Sequence, residues 1–199
     1  MPRIRDPDLP QRLLHRALEM LDESGGPTFS MRALAKREGY AVTAVYRCFP
    51  SRGALLKAMQ LHLFTELPGA LALEELGERP ISEALQELGV RFVSWAMAHP
   101  VRYRFMFLTE EPDALLSPEE QALARAPLIA LAGVLTAAPL RSGLDPHAAA
   151  TWLFAGLHGL ISLHLQARLD PAIVPDPTAF VRVHGAIWSA TLFTESSDA

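Results

Sequence analysis

Cysteine is almost absent from this chain of 199 residues, in which Cys48 is the only one. A single cysteine excludes an internal disulfide and any metal site built from several cysteines. A redox-sensing thiol next to Arg47 is one interpretation of Cys48, and a small space-filling side chain is the simpler one. The first ten residues contain four charged side chains and no apolar run follows them. This pattern predicts no secretory signal peptide, and we expect a cytoplasmic protein.

The motifs of common enzyme sites are also missing. The chain contains no His-Glu-x-x-His, no pair of histidines four residues apart, no glycine-rich phosphate loop, no Gly-x-Ser-x-Gly and no Cys-His nucleophile arrangement. His158 and His164 are six residues apart and therefore lie on different faces of a helix. We predict no catalytic residue, no metal site and no cofactor.

Charged residues are absent from residues 146–167, which contain no Asp, Glu, Lys or Arg. An uncharged run of this length must be tested as a membrane span. Three histidines and several other polar residues interrupt it, and the neighbouring segments are ordinary amphipathic helices. We therefore expect no membrane insertion. A helix that is apolar on all sides in a soluble protein needs a large core or a partner subunit, and the modest chain length favours the partner.

Apolar residues recur at helical spacing along the whole chain, with proline and glycine between the segments. There is no internal repeat and no strand-like alternation, so we predict an all-α fold of about nine helices. Pro68 and Gly69 are expected to interrupt one of these helices, the one that follows Arg52. The remaining helices are predicted near residues 9–24, 30–39, 42–48, 82–99, 101–108, 118–137, 146–168 and 177–193.

Residues 30–52 read as two short helices joined by a glycine turn, which is the arrangement of a helix-turn-helix motif. Ser30 can cap the first helix, and Gly39 can adopt the left-handed conformation that ends it. On the second helix, Val45 and Phe49 are four residues apart and can anchor it inward. Three side chains of the types that bond phosphates and base edges then project outward: Thr43, Tyr46 and Arg47.

Basic residues are concentrated in the part of the chain that carries this motif. The whole chain has a net charge of -4 and a pI near 6.0, which by itself argues against nucleic-acid binding. Residues 1–65, however, carry ten Lys and Arg against six Asp and Glu, whereas the remainder has a balance of -8. The basic surface therefore coincides with the motif. For Lys36 and Arg37, an ordinary solvated helix face is an equally good explanation.

The N-terminal third resembles the DNA-binding domain of the TetR family of bacterial transcription regulators. The matching features are the long first helix ending at Gly25-Gly26, followed by Ser30, Leu34-Ala35, Gly39, Val45-Tyr46, Phe49-Pro50-Ser51 and Leu55-Leu56. The chain departs from the family pattern at Ala41, Thr43 and Ala44. The resemblance implies a helix-turn-helix domain over residues 1–66, with contacts to double-stranded DNA from Arg3, Arg5, Ser30, Thr43, Tyr46, Arg47 and Arg52.

The C-terminal part is similar to a subgroup of that family with a Trp-His-Gly signature, through Trp152, His158-Gly159 and the segment 99–107. This similarity implies an effector-binding and dimerisation domain over residues 67–199. The candidate ligand-binding residues are Phe92, Trp95, Phe105, Met106, Trp152 and His158. An aromatic and methionine stripe can equally be ordinary core. The family's interface, formed by the last two helices of each subunit, corresponds here to Gly156, Gly159, Val183, Ile187 and Ala190.

The sequence therefore predicts a homodimeric TetR-like transcriptional regulator. We expect a repressor that leaves a palindromic operator when a small apolar or aromatic effector binds. The alternatives are a helical small-molecule-binding protein or enzyme that does not act on DNA, and a module that only binds other proteins.

Overall fold

The structure is a computed structural model that describes residues 6–72, 75, 79–108, 117–136 and 138–193, with the side chains of 188–190 outside this set. The fold is all-α, as predicted. Nine helices form within the described residues: α1 (Leu9–Ser24), α2 (Met31–Glu38), α3 (Val42–Cys48), α4 (Arg52–Ala70), α5 (Ile81–Ala98), α6 (Pro100–Phe107), α7 (Pro118–Thr136), α8 (Pro146–Leu165) and α9 (Pro177–Leu192).

The chain divides into two compact units. The first, called the N-terminal unit, comprises residues 1–65 and 101–123, and the second, the C-terminal unit, comprises residues 66–100 and 124–199. The functional division into residues 1–66 and 67–199 stays a prediction, since these units are defined by compactness and are not continuous in sequence. Residues 101–123 join the first unit rather than the second, because the side chains of α6 pack on α1 and on the first part of α4.

The N-terminal unit is built on leucine and alanine side chains that face inward. Along α1, Leu13, Ala17 and Leu21 are fully buried, because a spacing of four residues keeps them on one face of the helix. The rings of Phe64 and Phe107 lie edge to face with centroids 5.4 Å apart, which attaches α6 to α4. The Gln60 amide of α4 also donates to the carbonyl of Met106. The Arg102 guanidinium pairs with Asp22 of α1, and the Tyr103 ring is buried.

The C-terminal unit packs α5 against α8 and α9. Small residues allow a close approach between α5 and α9. An added Cβ atom on Gly185 would lie 2.9 Å from Cγ of Gln86, whose side-chain amide donates to the carbonyl of Arg182 at 2.6 Å. A hydrophobic core cluster of the unit joins α7, α8 and the end of α9 through these buried side chains: Ala132, Leu135, Ala149, Ala150, Leu153, Leu192 and Phe193.

The helix α4 does not stop at Pro68, and the predicted interruption is wrong. The helix continues to Ala70, and the backbone N–H of Leu71 still donates to the carbonyl of Leu67 at 3.0 Å. Proline removes one backbone donor and crowds the preceding turn. Pro68 has no N–H to donate to the carbonyl of Phe64, yet the two residues that follow it keep the helical backbone. The chain leaves the helix at Ala72, which has a left-handed φ of 48°.

The uncharged segment forms α8, which by length and composition alone could cross a membrane, with a mean hydropathy of 1.3. One stripe of this helix is buried in the C-terminal unit, through Ala149, Ala150, Leu153, Leu157 and Ile161. The opposite side is exposed and carries Trp152 and Gly156. The helix therefore belongs to the packed unit through one face and presents the other to its surroundings.

Candidate DNA-binding surface and ligand cavity

The turn between α2 and α3 is held by the two residues that the sequence singled out. The Ser30 hydroxyl oxygen accepts a hydrogen bond from the backbone N–H of Ala33 at 3.1 Å, which caps α2. Gly39 ends that helix with a left-handed φ of 76°, a conformation that other residues adopt at a cost. Ala41 provides no side-chain cap for α3, as its methyl group implies. The side-chain cap and the left-handed glycine described here both belong to α2.

The helix α3 is short and has one inward anchor. Val45 is fully buried, whereas Thr43, Tyr46 and Arg47 are exposed on the remaining surface of the helix. Tyr46 is nearly half exposed, whereas tyrosine side chains are on average more buried than this. The exposed hydroxyl, phenol and guanidinium groups together form a surface able to donate hydrogen bonds to phosphates and bases.

Several arginines of the N-terminal unit are neutralised by carboxylates of the same unit. Arg12 pairs with Asp6 at 2.7 Å and with Glu38 at 3.0 Å, and Arg16 also contacts Glu38. The Tyr40 hydroxyl donates to Asp6 at 2.9 Å. Hydrogen bonds from Arg12 and then from Tyr40 lower the pKa of Asp6 below its usual value. This network joins the start of α1 to the end of α2.

Arg37 on α2 is neutralised in the same way, since it forms an ion pair with Glu23 of α1. The hydrogen bond from Arg37 lowers the pKa of Glu23 and correspondingly raises that of the guanidinium. Pairing of this kind joins two helices, but the neutralised cation attracts a negatively charged ligand less strongly. The charge of Arg37 is therefore neutralised, whereas the adjacent Lys36 has no ion-pair partner among the described residues.

Three cations remain unpaired among the described residues of this unit: Arg32, Lys36 and Arg47. All three are exposed, and they lie on the two helices of the helix-turn-helix motif. Arg52, at the start of α4, is partly buried, and its guanidinium donates to the carbonyl of Pro27. It therefore braces the loop that leads into α2. Arg3 and Arg5, also predicted to contact DNA, lie outside the described residues.

The thiol of Cys48 is partly buried at the end of α3. Burial raises its pKa, and this effect outweighs the opposing influence of the Arg47 charge. A raised pKa disfavours the thiolate, which is the reactive form of cysteine. The structure thus favours the space-filling interpretation of this residue.

A cavity of about 490 Å³ opens within the C-terminal unit. Its walls come from the end of α4 and from α5, α7 and α8, together with residues that follow α7. One lining residue, Arg79, is charged. The other fifteen have hydrocarbon side chains: Leu67, Leu71, Ile81, Ala84, Leu85, Leu88, Phe92, Pro127, Ala130, Leu131, Val134, Ala138, Pro139, Phe154 and Leu157. A cavity of this size and lining is typical of sites for small apolar ligands.

Aromatic rings surround His158 beside this cavity. The His158 ring lies 4.1 Å from that of Phe154 and 5.4 Å from that of Phe92, between ring centroids, and both contacts are edge to face. Phe92 also stacks on Trp95 at 6.4 Å. Burial among these groups lowers the pKa of His158 to about 4, so the imidazole is neutral at physiological pH.

The predicted ligand-binding residues occupy different parts of the structure. Phe92 lines the cavity, and Trp95 and His158 contact its ring. Phe105 and Met106 are buried in the N-terminal unit, and half of Trp152 is exposed on α8. The role of these six residues in ligand binding stays a prediction. The sequence did not indicate Arg79 or the leucines as lining residues. Leucines at helical spacing form the same pattern in a solid core and around a cavity.

Four of the five predicted dimer residues are exposed. Val183 and Ile187 of α9 are 71% and 59% exposed, and Gly156 and Gly159 are open to solvent on α8. Ala190 belongs to α9, but its side chain lies outside the described residues. Large aliphatic side chains with this degree of exposure mark a surface that another molecule can cover.

Two family sequence models match the chain. Residues 13–59 match that of the bacterial regulatory proteins of the tetR family, and residues 85–186 match the tetracyclin repressor-like C-terminal domain. The second match alone spans slightly more than half of the chain. The chain belongs to the TetR family. It is a DNA-binding transcriptional regulator and not an enzyme, and the first match includes α2 and α3 with their exposed side chains.

Solved structures share this TetR-family fold along nearly the whole chain. A protein of unknown function from Rhodococcus sp. RHA1 is 24% identical, with a TM-score of 0.78, over 96% of this chain and 98% of that chain. The fatty acid degradation regulator FadR from Bacillus halodurans is 16% identical, with a TM-score of 0.70, over 92% and 95% of the two chains. FadR from Bacillus subtilis, solved in complex with stearoyl-CoA, is also 16% identical, with a TM-score of 0.72, over 91% and 98%.

Comparison with curated protein sequences found no significant match. The C-terminal family model does not distinguish a Trp-His-Gly subgroup, and that finer similarity stays a prediction. The family assignment thus establishes that the chain is a transcriptional regulator, whereas it identifies neither the operator nor the effector.

Proposed function

We propose that this TetR-family regulator is a cytoplasmic homodimeric repressor whose α3 helices enter adjacent major grooves of a palindromic operator. The observation that carries the proposal is the face of α3, where Thr43, Tyr46 and Arg47 are exposed beside a single buried anchor. A two-fold dimer with one such helix per subunit fits half-sites separated by about 34 Å, or one helical turn.

The unpaired cations suggest a division of labour on the DNA. Arg32 and Lys36 lie on α2, which in helix-turn-helix proteins crosses the phosphate backbone, and they are suited to phosphate contacts. Arg47 lies on the reading helix, where a guanidinium can bond two acceptors of a guanine. Ser30 already caps α2 through its hydroxyl, and that hydroxyl has a second lone pair that can still act at the DNA surface.

The subunits of the proposed dimer meet through α8 and α9. The exposed apolar side chains of Val183 and Ile187 provide the contact area, and Gly156 and Gly159 allow helix backbones to approach closely. This arrangement also explains why α8 has an uncharged face that the C-terminal unit does not bury.

The effector is proposed to be a small, mostly apolar molecule that occupies the cavity of the C-terminal unit. Fifteen of its sixteen lining residues are hydrocarbon, so the cavity offers no set of ligands for a metal and little to a nucleotide. The stearoyl-CoA bound by FadR of Bacillus subtilis places an acyl chain in a protein of the same fold, which supports an apolar effector here. Release from DNA requires that the effector bind the DNA-incompetent state more tightly.

A gel-shift and footprinting experiment on the DNA upstream of the regulator's own gene tests this function. We expect a protected near-palindrome, bound by two chains, with an affinity that falls steeply as salt rises because phosphate contacts release counterions. Replacing Thr43, Tyr46 and Arg47 together by alanine should abolish the footprint without changing the far-ultraviolet circular dichroism. An unchanged footprint for this variant would exclude α3 as the reading helix.

A further inference from the structure

We propose that the effector of this regulator is an amphiphile, with an alkyl chain in the cavity and an anionic head group on Arg79. The proposal rests on the function proposed above and specifies the chemistry of the ligand. It starts from the composition of the cavity wall, in which Arg79 is the one ionisable side chain among sixteen lining residues.

The position of Arg79 determines which part of a ligand it can reach. The side chain lines the cavity and is also exposed, so it lies where the cavity meets water. Deeper lining residues such as Phe92, Ala84 and Leu71 are buried and apolar. An occupant would therefore have its hydrocarbon part among these residues and a polar group at the opening.

The charge of Arg79 is available to a ligand. Within the part of the chain that the structure describes, no carboxylate pairs with it, whereas Arg91 of the same unit is bound by Glu87 and Glu75. A guanidinium holds an oxyanion through charge-assisted and often bidentate hydrogen bonds. Its attraction for a head group is screened by water at the opening, so it orients the ligand and adds modestly to affinity, while the apolar wall provides most of the binding.

Two matched ligand series test the proposal by calorimetry with the full-length protein. Octanoate, decanoate and dodecanoate are compared with the alcohols of equal chain length. We expect affinity to rise about fourfold for each added methylene until the cavity is full, in both series. We also expect each carboxylate to bind about tenfold more tightly than its alcohol.

Substitutions locate the two parts of the site. Arg79→Gln should remove the preference for the carboxylate while leaving the alcohols bound as before, and Arg79→Lys should restore part of it. Arg168→Gln removes an exposed arginine elsewhere in the C-terminal unit and should change nothing. Ala130→Trp, which places a large ring on the exposed part of the wall, should weaken both series.

The outcomes separate this proposal from the function on which it rests. If neither series binds, the apolar effector cavity itself is wrong. If neither the carboxylates nor dodecanoyl-CoA binds more tightly than the matching alcohol, or if the preference for the anion survives Arg79→Gln, the cavity stands and the anionic head group is overturned. Dodecanoyl-CoA, included beside dodecanoate, distinguishes a thioester-linked anion from a free carboxylate as the source of the charge, and an Arg79-dependent gain over dodecanol by either one supports the proposal.

Discussion

At the scale of single residues, the arginines of the N-terminal unit form two groups with different roles. Arg12, Arg16 and Arg37 are held by carboxylates and connect helices, whereas Arg47 and Arg32 point to solvent without an ion-pair partner among the described residues. The sequence showed a basic N-terminal part but could not divide it in this way, because ion pairs such as that between Arg37 and Glu23 join residues far apart in the chain.

The division predicts unequal effects of two arginine substitutions on DNA binding. Arg47→Ala should weaken binding to the operator by about 1 to 3 kcal/mol and reduce the preference for operator over random DNA, because a base contact is lost. Arg37→Ala is the matched control, since this arginine is also exposed but is already neutralised by Glu23. Fluorescence anisotropy with both DNA sequences measures the two effects. Equal losses for the two variants would show that ion pairing in the free protein does not decide which arginine reads DNA.

His158 should make the stability of the protein depend on pH in a defined window. Its pKa is about 4 in the folded chain and near 6.5 when exposed, because burial beside Phe92 and Phe154 disfavours the imidazolium. The unfolded chain therefore binds the proton more readily, and the folded state loses stability as pH falls from 6.5 to 4. Above pH 6.5 this residue adds no pH dependence.

Melting curves of the protein and of His158→Gln across that window measure the contribution. The variant should show a flatter dependence of melting temperature on pH, and the difference between the two curves removes the effect of carboxylates, which both proteins share. Parallel curves would mean that the imidazole stays as accessible as in the unfolded chain.

At the scale of helices, the contact of α5 with α9 depends on the absence of one side chain. Gly185→Ala should destabilise the protein, since its Cβ would meet the Gln86 side chain at 2.9 Å and disturb the bond from that amide to Arg182. Overpacking costs about 1 to 3 kcal/mol, which exceeds the roughly 1 kcal/mol that alanine contributes to a helix.

Gly133→Ala provides the control, because this glycine lies in α7 with no atom within 4 Å of an added Cβ. Chemical denaturation should show a small gain in unfolding free energy for this variant and a loss for Gly185→Ala. A gain for both would show that the Gln86 side chain moves aside without cost.

Local patterns predicted most helices well, because their ends carry strong signals. Ser30 and Gly39 bound α2 as the capping rules require, and α5 ends before His99-Pro100 as predicted. Pro68 misled the prediction, since α4 continues for two residues beyond it although a proline cannot donate the helical hydrogen bond. The attachment of α6 to the N-terminal unit and the cavity of the C-terminal unit were beyond reach, because both depend on contacts between segments distant in the chain.

At the scale of the whole molecule, the exposed face of α9 predicts which substitution would dissociate the proposed dimer. Ile187→Glu should yield monomers, because a carboxylate would be buried without a partner when two such faces meet, at a cost of several kcal/mol. Ile173→Glu alters an isoleucine that is even more exposed but lies outside α8 and α9, and it should leave the dimer intact. Sedimentation velocity measures both variants, and a dimer of unchanged stability for Ile187→Glu would move the interface elsewhere.

If Val183 and Ile187 form the proposed interface, regulation also depends on the number of protein copies in the cell. When a homodimer dissociates appreciably, its concentration varies as the square of the protomer concentration, and only the dimer presents two α3 helices to a palindrome. Occupancy of the operator then rises more steeply with expression than it would for a monomeric repressor. Dimerisation also stabilises the folded state by mass action, so scarce chains are both less folded and less able to bind DNA. In the proposed repressor dimer, the same apolar side chains therefore set a threshold of abundance below which the operator stays unoccupied.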